Sequence, residues 1–249
     1  MVMWYPQNAE ELRAMINTFV NQKIKKSAFP LTQNIHGLVV PHAGYVYSGG
    51  VAGKGFGLLK SNKQKKGSPS HLRQKAVVIG PSHYARFYGV RVMEDIKTPL
   101  GSVEIIKNDF DKLHAEEHSV KNQIPFLQFL GINKVLPLVI GEIDKSEAEE
   151  IAKILIEKYK DCLFVFSTDL SHFLVYNEAV EQDKKTIGII ENLDFSKFSE
   201  LDVCGSFCLL IMMHLCKLKG WKPRLVEYKN SGDVVGDKSS VVGYASMVF

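Results

Sequence analysis

Short apolar runs that end directly on a histidine recur along this chain. Gly37-Leu-Val-Val-Pro41 leads into His42, and Ala76-Val-Val-Ile-Gly-Pro81 leads into Ser82-His83. Leu163-Phe-Val-Phe166 leads into Ser167-Thr-Asp169-Leu-Ser-His172. Runs this short, β-branched or aromatic and bounded by Pro, Gly or Ser, read as strands buried on both faces. Further strands are expected at 89–93, 103–106, 134–140, 224–228 and 240–248. Between them lie stretches of helical spacing. Residues 9–21 carry Leu12, Ile16 and Phe19, and a helix follows the 43–50 loop to about Leu59. Residues 146–160 offer Ser146 as N-cap with Glu149 behind it. Helices also fit 177–192 and 205–219, the latter stopping at Gly220. Pro125 suggests either an early position in the helical segment that follows His118 or a break in it. Strands alternating with helices predict an α/β fold, a three-layer α/β/α sandwich with a mostly parallel central sheet. No linker or repeat divides it, so residues 1–249 are expected to form a single domain.

Such a sheet gathers the carboxyl ends of its parallel strands at one edge, where ligands bind. Strands that deliver imidazoles there suggest one convergent site, imidazole being the commonest metal ligand and the usual base near neutral pH. Composition allows this and excludes other classes. At 45% hydrophobic the chain can bury a large core, and its net charge of +4 comes from interspersed acids and bases. No nucleic-acid or membrane partner is expected. The apolar stretch 207–213 is too short to span a bilayer, and no signal peptide is visible. Residues 60–75 are basic and read as an exposed loop, without interleaved aromatics for stacking on bases. Cys162, Cys204, Cys208 and Cys216 have apolar neighbours and lack a zinc-type pair, so buried thiols in a reducing, cytoplasmic setting are expected.

Each candidate site residue competes with an ordinary structural role. His42 and His83 each follow a strand, in Pro41-His42-Ala43-Gly44-Tyr45 and Gly80-Pro81-Ser82-His83-Tyr84. One such histidine is a solvated turn residue; two after two strands are harder to dismiss. The glycines after His42 precede no Lys-Ser/Thr phosphate signature. Asp169 and His172 share a short loop, where the carboxylate can orient the imidazole, share a metal, or cap a helix. No Gly-X-Ser-X-Gly elbow supports a serine hydrolase. In Glu116-Glu117-His118-Ser119 the acids suit a helix N-terminus, and His118 is ambiguous. Asp233, in Ser231-Gly232-Asp233, forms a Gly-Asp turn or completes two histidines as the carboxylate of a facial metal triad, which suits non-haem Fe(II). His36, His71, His114 and His214 are expected to lie outside the site.

The order of these segments resembles the Memo family, similar in fold to class III extradiol ring-cleaving dioxygenases. It is carried by Trp4-Tyr5-Pro6, Pro41-His42-Ala43-Gly44-Tyr45, Gly80-Pro81-Ser82-His83, Thr98-Pro99-Leu100-Gly101, Glu117-His118-Ser119, Ser167-Thr168-Asp169-Leu170-Ser171-His172 and Ser231-Gly232-Asp233. The resemblance implies a metal site at His42, His83 and Asp233, where vertebrate members carry cysteine in place of the aspartate. It implies an acid/base role for His172 and a substrate- or oxygen-holding role for His118. Relatives often carry a proline shortly after the Cys-Gly matching Cys204-Gly205; Phe207-Cys208 stand here instead, which bears on the local substrate pocket. The leading reading is a metal-binding protein with a dioxygenase-like pocket, favouring Fe(II), with Zn(II) and Cu(II) as the other ions weighed. The rivals are a non-enzymatic module that binds a peptide or small ligand, and a metal-dependent hydrolase.

Overall fold

A computed structural model describes residues 4–23, 34–63 and 74–249. Helix α1 (Ala9–Val20) opens the fold, its N-terminus capped by the Asn8 side chain, which accepts from the Glu10 and Glu11 backbone N–H groups. Strand β1 (Gly37–Val40) and helix α2 (Tyr45–Lys63) follow. Helix α2 thus takes up residues 60–63 of the loop expected at 60–75, and 64–73, with His71, lie outside the described residues. Next come β2 (Lys75–Pro81), β3 (Val90–Met93) and the short strands β4 (Lys97–Thr98), β5 (Gly101–Ser102), β6 (Glu104–Ile105) and β7 (Asp111–Leu113). The helical stretch after Glu117 is broken into α3 (His118–Lys121) and α4 (Ile124–Phe129), with Pro125 in the first turn of α4. Strand β8 (Lys134–Ile140) leads to α5 (Lys145–Lys158). Its N-cap is Asp144, which forms a reciprocal capping box with Glu147, so the helix starts a little before the expected Ser146. The remaining elements are β9 (Leu163–Ser167), β10 (His172–Leu174), α6 (Tyr176–Asn192), a 3₁₀ turn at Phe195–Glu200, α7 (Ser206–Lys219), β11 (Arg224–Asn230), α8 (Ser231–Val235) and β12 (Val241–Val248). Gly220 stops α7 in the left-handed region at φ 66°.

The main sheet runs β10-β12-β1-β9-β2-β8-β3-β7. Its centre, β1-β9-β2-β8, is parallel throughout, while β12 and β3 pair antiparallel on either side. The central strands are buried on both faces, which is why they read as unbroken apolar runs. Leu38, Val40, Ala76 and Val78 face a core with α1, α2 and α4, where the rings of Phe56 and Phe126 stack at 4.8 Å. Val39, Val77, Ile79, Phe164 and Phe166 face the other core, filled by α5, α6 and α7. The α/β architecture expected from the alternation is thus present, with helices on both faces of a sheet that is parallel at its heart.

Register fixes where the strand ends fall. Val40 lies opposite Ser167 on one side of β9, and Ile79 lies opposite Phe166 on the other. All three strands run the same way and end together, so His42, Ser167 to His172, and His83 emerge at one edge. Among the described residues, no helix is long and apolar enough to cross a membrane.

Candidate metal centre

At that edge the imidazoles of His42, His83 and His118 converge, their ligand atoms all within 4.8 Å of one another. The rings of His83 and His118 are 4.4 Å apart centre to centre, and that of His42 stands edge-on to both at 5.1 and 5.2 Å. Among the described residues this is the one group of three or more such side chains able to hold a metal ion.

His42 is buried, and each part of it is held. Its backbone N–H donates to Asp169 Oδ1 at 2.8 Å, and its carbonyl accepts from Asn122 Nδ2 at 2.7 Å. Nδ1 meets Ser167 Oγ at 2.9 Å, and Gln123 Nε2 donates to the same oxygen at 2.9 Å. Ser167 Oγ can accept from Nδ1 or donate to it; with the proton on Nδ1, the Nε2 lone pair is left available to a metal ion. Burial pushes the His42 pKa down to about 4; the Asp169 carboxylate opposes that shift, while His83 and His118 add to it. The ring therefore stays neutral at physiological pH, as a metal ligand must be.

His83 and His118 share one carboxylate. Glu117 Oε1 lies 2.9 Å from His83 Nδ1 and 3.1 Å from His118 Nδ1, while Oε2 accepts from the His83 backbone N–H at 2.6 Å. The approach to His118 is too oblique for a straight hydrogen bond, so the hold on His83 is the tighter of the two. Glu117 is only 1% exposed. Burial alone would raise its pKa, but the interactions with His118 and His83 outweigh it and hold the carboxyl well below the usual range. His118 is further fixed by Trp4, whose ring stacks on it at 4.2 Å with 9° between planes. Gly80 permits this docking: a Cβ there would lie 2.5 Å from Ser119 Oγ and 3.0 Å from the Ser119 carbonyl carbon. Ser119 Oγ in turn donates to the Pro81 carbonyl at 2.7 Å, tying α3 to the end of β2.

Other expected site residues fall elsewhere. Asp233, expected as the third ligand, is not among the clustered donors. Its carboxylate accepts from the Asn230 backbone N–H at 3.0 Å, closing a capping box on α8, and from Tyr176 Oη at 2.7 Å. The third imidazole of the cluster is His118, for which the resemblance implies a substrate- or oxygen-holding role. Asp169, expected to orient His172, instead faces the 42–43 backbone, accepting from His42 and Ala43 N–H groups. His172 heads β10, half-buried, with its ring against Phe173. Phe173 is 77% exposed at φ 62°, a costly backbone for a bulky residue. Cys204 was read as one more buried thiol, yet its Sγ lies 3.3 Å from His42 Nε2 and accepts from the Asp169 N–H at 3.2 Å. Burial, reinforced by Asp169, pushes its pKa up to about 12, so it stays a thiol. Only the Cys204-Gly205 match to the family could have pointed to it. The remaining cysteines are buried and form no disulfide. His36 stacks on Trp221 at the opposite end of β1, His114 is exposed, and His214 packs against Phe195 on α7.

A three-imidazole cluster at the carboxyl edge of a parallel sheet, its His42 buried and its His83 open to solvent, defines an α/β protein whose site can hold a metal ion. The chain belongs to the Memo-like protein family, which it matches over residues 3–248. Curated MEMO1 family proteins are similar along most of their length. That of Archaeoglobus fulgidus is 34% identical, covering 99% of this chain and 96% of the relative. That of Sulfolobus acidocaldarius is 37% identical over 85% and 81%, and that of Thermoplasma volcanium 32% identical over 98% and 94%.

Proposed function

We propose that this protein binds a divalent metal ion through His42, His83 and His118 and presents it, with open coordination positions, to a small-molecule or peptide ligand. The observation that carries this reading is the convergence of the three rings, with Nδ1 of His42 on Ser167 and Nδ1 of His83 on Glu117. Imidazoles that ligate a metal through one nitrogen characteristically engage a carboxylate or another hydrogen-bonding group through the second. Three protein ligands with room for more mark a catalytic type of site and not a closed structural one.

When bound, such an ion supplies Lewis acidity and, if redox-active, electron transfer to oxygen. The chain's own contribution is to hold neutral rings in place, to exclude water beneath them with Gln123, Ser167 and Asn122, and to line the rim with Tyr84. His172, at the head of β10, is the group we assign to moving protons. Resemblance to ring-cleaving dioxygenases favours an oxidoreductase using Fe(II). A second reading, a hydrolytic zinc site, draws support from the donor set itself: three imidazoles without a carboxylate also serve catalytic zinc.

Isothermal titration of Fe(II), Zn(II) and Cu(II) into wild type and the His42, His83, His118 and Asp233 alanine variants tests the site. The histidine variants should each lose binding, and Asp233→Ala should retain it. If the histidine variants bind like wild type, the site is elsewhere. Oxygen uptake with a panel of catechols, set against ester hydrolysis under argon, separates the two chemistries; metal binding with neither favours a binding module.

A further inference from the structure

Glu117 is more than the cap of a short helix. Its backbone is in the N-cap position of α3, and Oε1 does accept the Ser119 N–H at 3.2 Å. Capping, however, is served best by Asp, Asn, Ser or Thr, whose short side chains reach the helix N–H groups directly. It also needs no burial. Glu117 is the longer acid, buried, and turns both oxygens to histidines: it accepts from the His83 backbone, bonds the His83 ring and lies 3.1 Å from the His118 ring. Its neighbour Glu116 is exposed and pairs only with Lys121. The arrangement repeats what Asp169 does for the other loop, where a carboxylate grips the His42 backbone N–H. At Glu117 the grip extends to the rings themselves.

We propose that Glu117 is a positioning residue that orients His83 and His118 together, so that two of the three imidazoles are held by one carboxylate and fall out of place together when it is removed. A carboxylate oxygen bonded to His83 Nδ1 and lying 3.1 Å from His118 Nδ1 favours the proton on that nitrogen of both rings, which leaves each Nε2 lone pair available to a metal. The purpose of the clamp rests on the metal reading above; its existence does not.

The test compares Glu117→Asp, which keeps charge and improves the cap but shortens the reach, with Glu117→Gln, which keeps the reach but cannot accept at both oxygens. Glu116→Gln is the control. Two readouts are taken: ¹⁵N side-chain histidine spectra of the metal-free protein, and Zn(II) affinity by competition with a chelator. Wild type should show His83 and His118 protonated at Nδ1. Both Glu117 variants should lose that signature, most completely at His83, and bind Zn(II) roughly 10- to 100-fold more weakly, while Glu116→Gln matches wild type. A Glu117→Asp protein with wild-type spectra and wild-type Zn(II) affinity would reduce Glu117 to a cap and overturn the proposal. Should wild type itself fail to bind Zn(II), the metal reading falls, and the spectra still decide the clamp: an altered tautomer supports it and an unaltered one removes it.

Discussion

His42 is an imidazole kept neutral by burial, and that has a cost in acid. Its pKa is about 4 in the folded protein against 6.5 for an ordinary histidine. The unfolded chain therefore takes up a proton that the folded one refuses, and stability is lost as pH falls from 6.5 toward 4, levelling below. The full loss is ~3 kcal/mol. Urea titrations of chelator-treated protein should show this decline, and His42→Asn should flatten it; an equal decline in that variant would assign the effect to another group. Glu117 adds a second loss at lower pH, because its depressed pKa stabilises the fold only while it remains ionised. Trp4 gives a separate reading of the site. Its ring lies on His118, whereas Trp221, the chain's other tryptophan, stacks on His36 at the far end of β1. Cu(II) added to the protein should quench the emission of Trp4, and Trp4→Phe should abolish most of the change. Quenching that persists undiminished in that variant would place the ion away from His118. At this scale the sequence pointed to His42 and His83, because each follows its own strand directly. It was read poorly for His118, Glu117 and Cys204. His118 and Glu117 reach the site by docking of a short helix, and Cys204 touches His42 across 162 positions of chain, contacts that no local spacing encodes.

The docking of α3 on β2 is the element-scale feature on which the trio depends. Gly80 lets Ser119 approach closer than any Cβ would allow. Gly80→Ala should push α3 outward, destabilise the protein by about 1–3 kcal/mol, and weaken Zn(II) binding by roughly tenfold or more as His118 withdraws. Thermal melts and chelator competition measure both; an unchanged affinity would show that α3 is not needed to close the site. Strand positions were legible because burial on both faces leaves no polar interruption. Helix starts were less so. Residues 145–158 begin on Asp144, whose pairing with Glu147 is as good a capping box as the Ser146-Glu149 spacing expected from sequence. Asp233 is ambiguous for a similar reason: an acid after a strand is equally a ligand and a cap, and in the structure it caps α8.

Across the whole molecule one sheet connects the two ends at which the tryptophans sit. Unfolding followed through Trp4 in a Trp221→Phe protein, and through Trp221 in a Trp4→Phe protein, should give coincident urea curves that also match far-UV circular dichroism. Separated midpoints would reveal two units where the sequence predicts one. The α/β class was legible because alternation is a property of many segments at once, whereas the antiparallel flanks formed by β12 and β3 are not, since strand direction depends on partners remote in the chain. The three clustered imidazoles stand at positions 42, 83 and 118, too far apart for an unfolded chain to present them together. An ion bound there, as proposed, would bind the native state alone, and at 100 times its dissociation constant it would hold the fold against unfolding by about 2.7 kcal/mol. The abundance of this protein in a cell would then follow its metal supply, an ion acting as a latch whose absence is felt first as turnover of the chain.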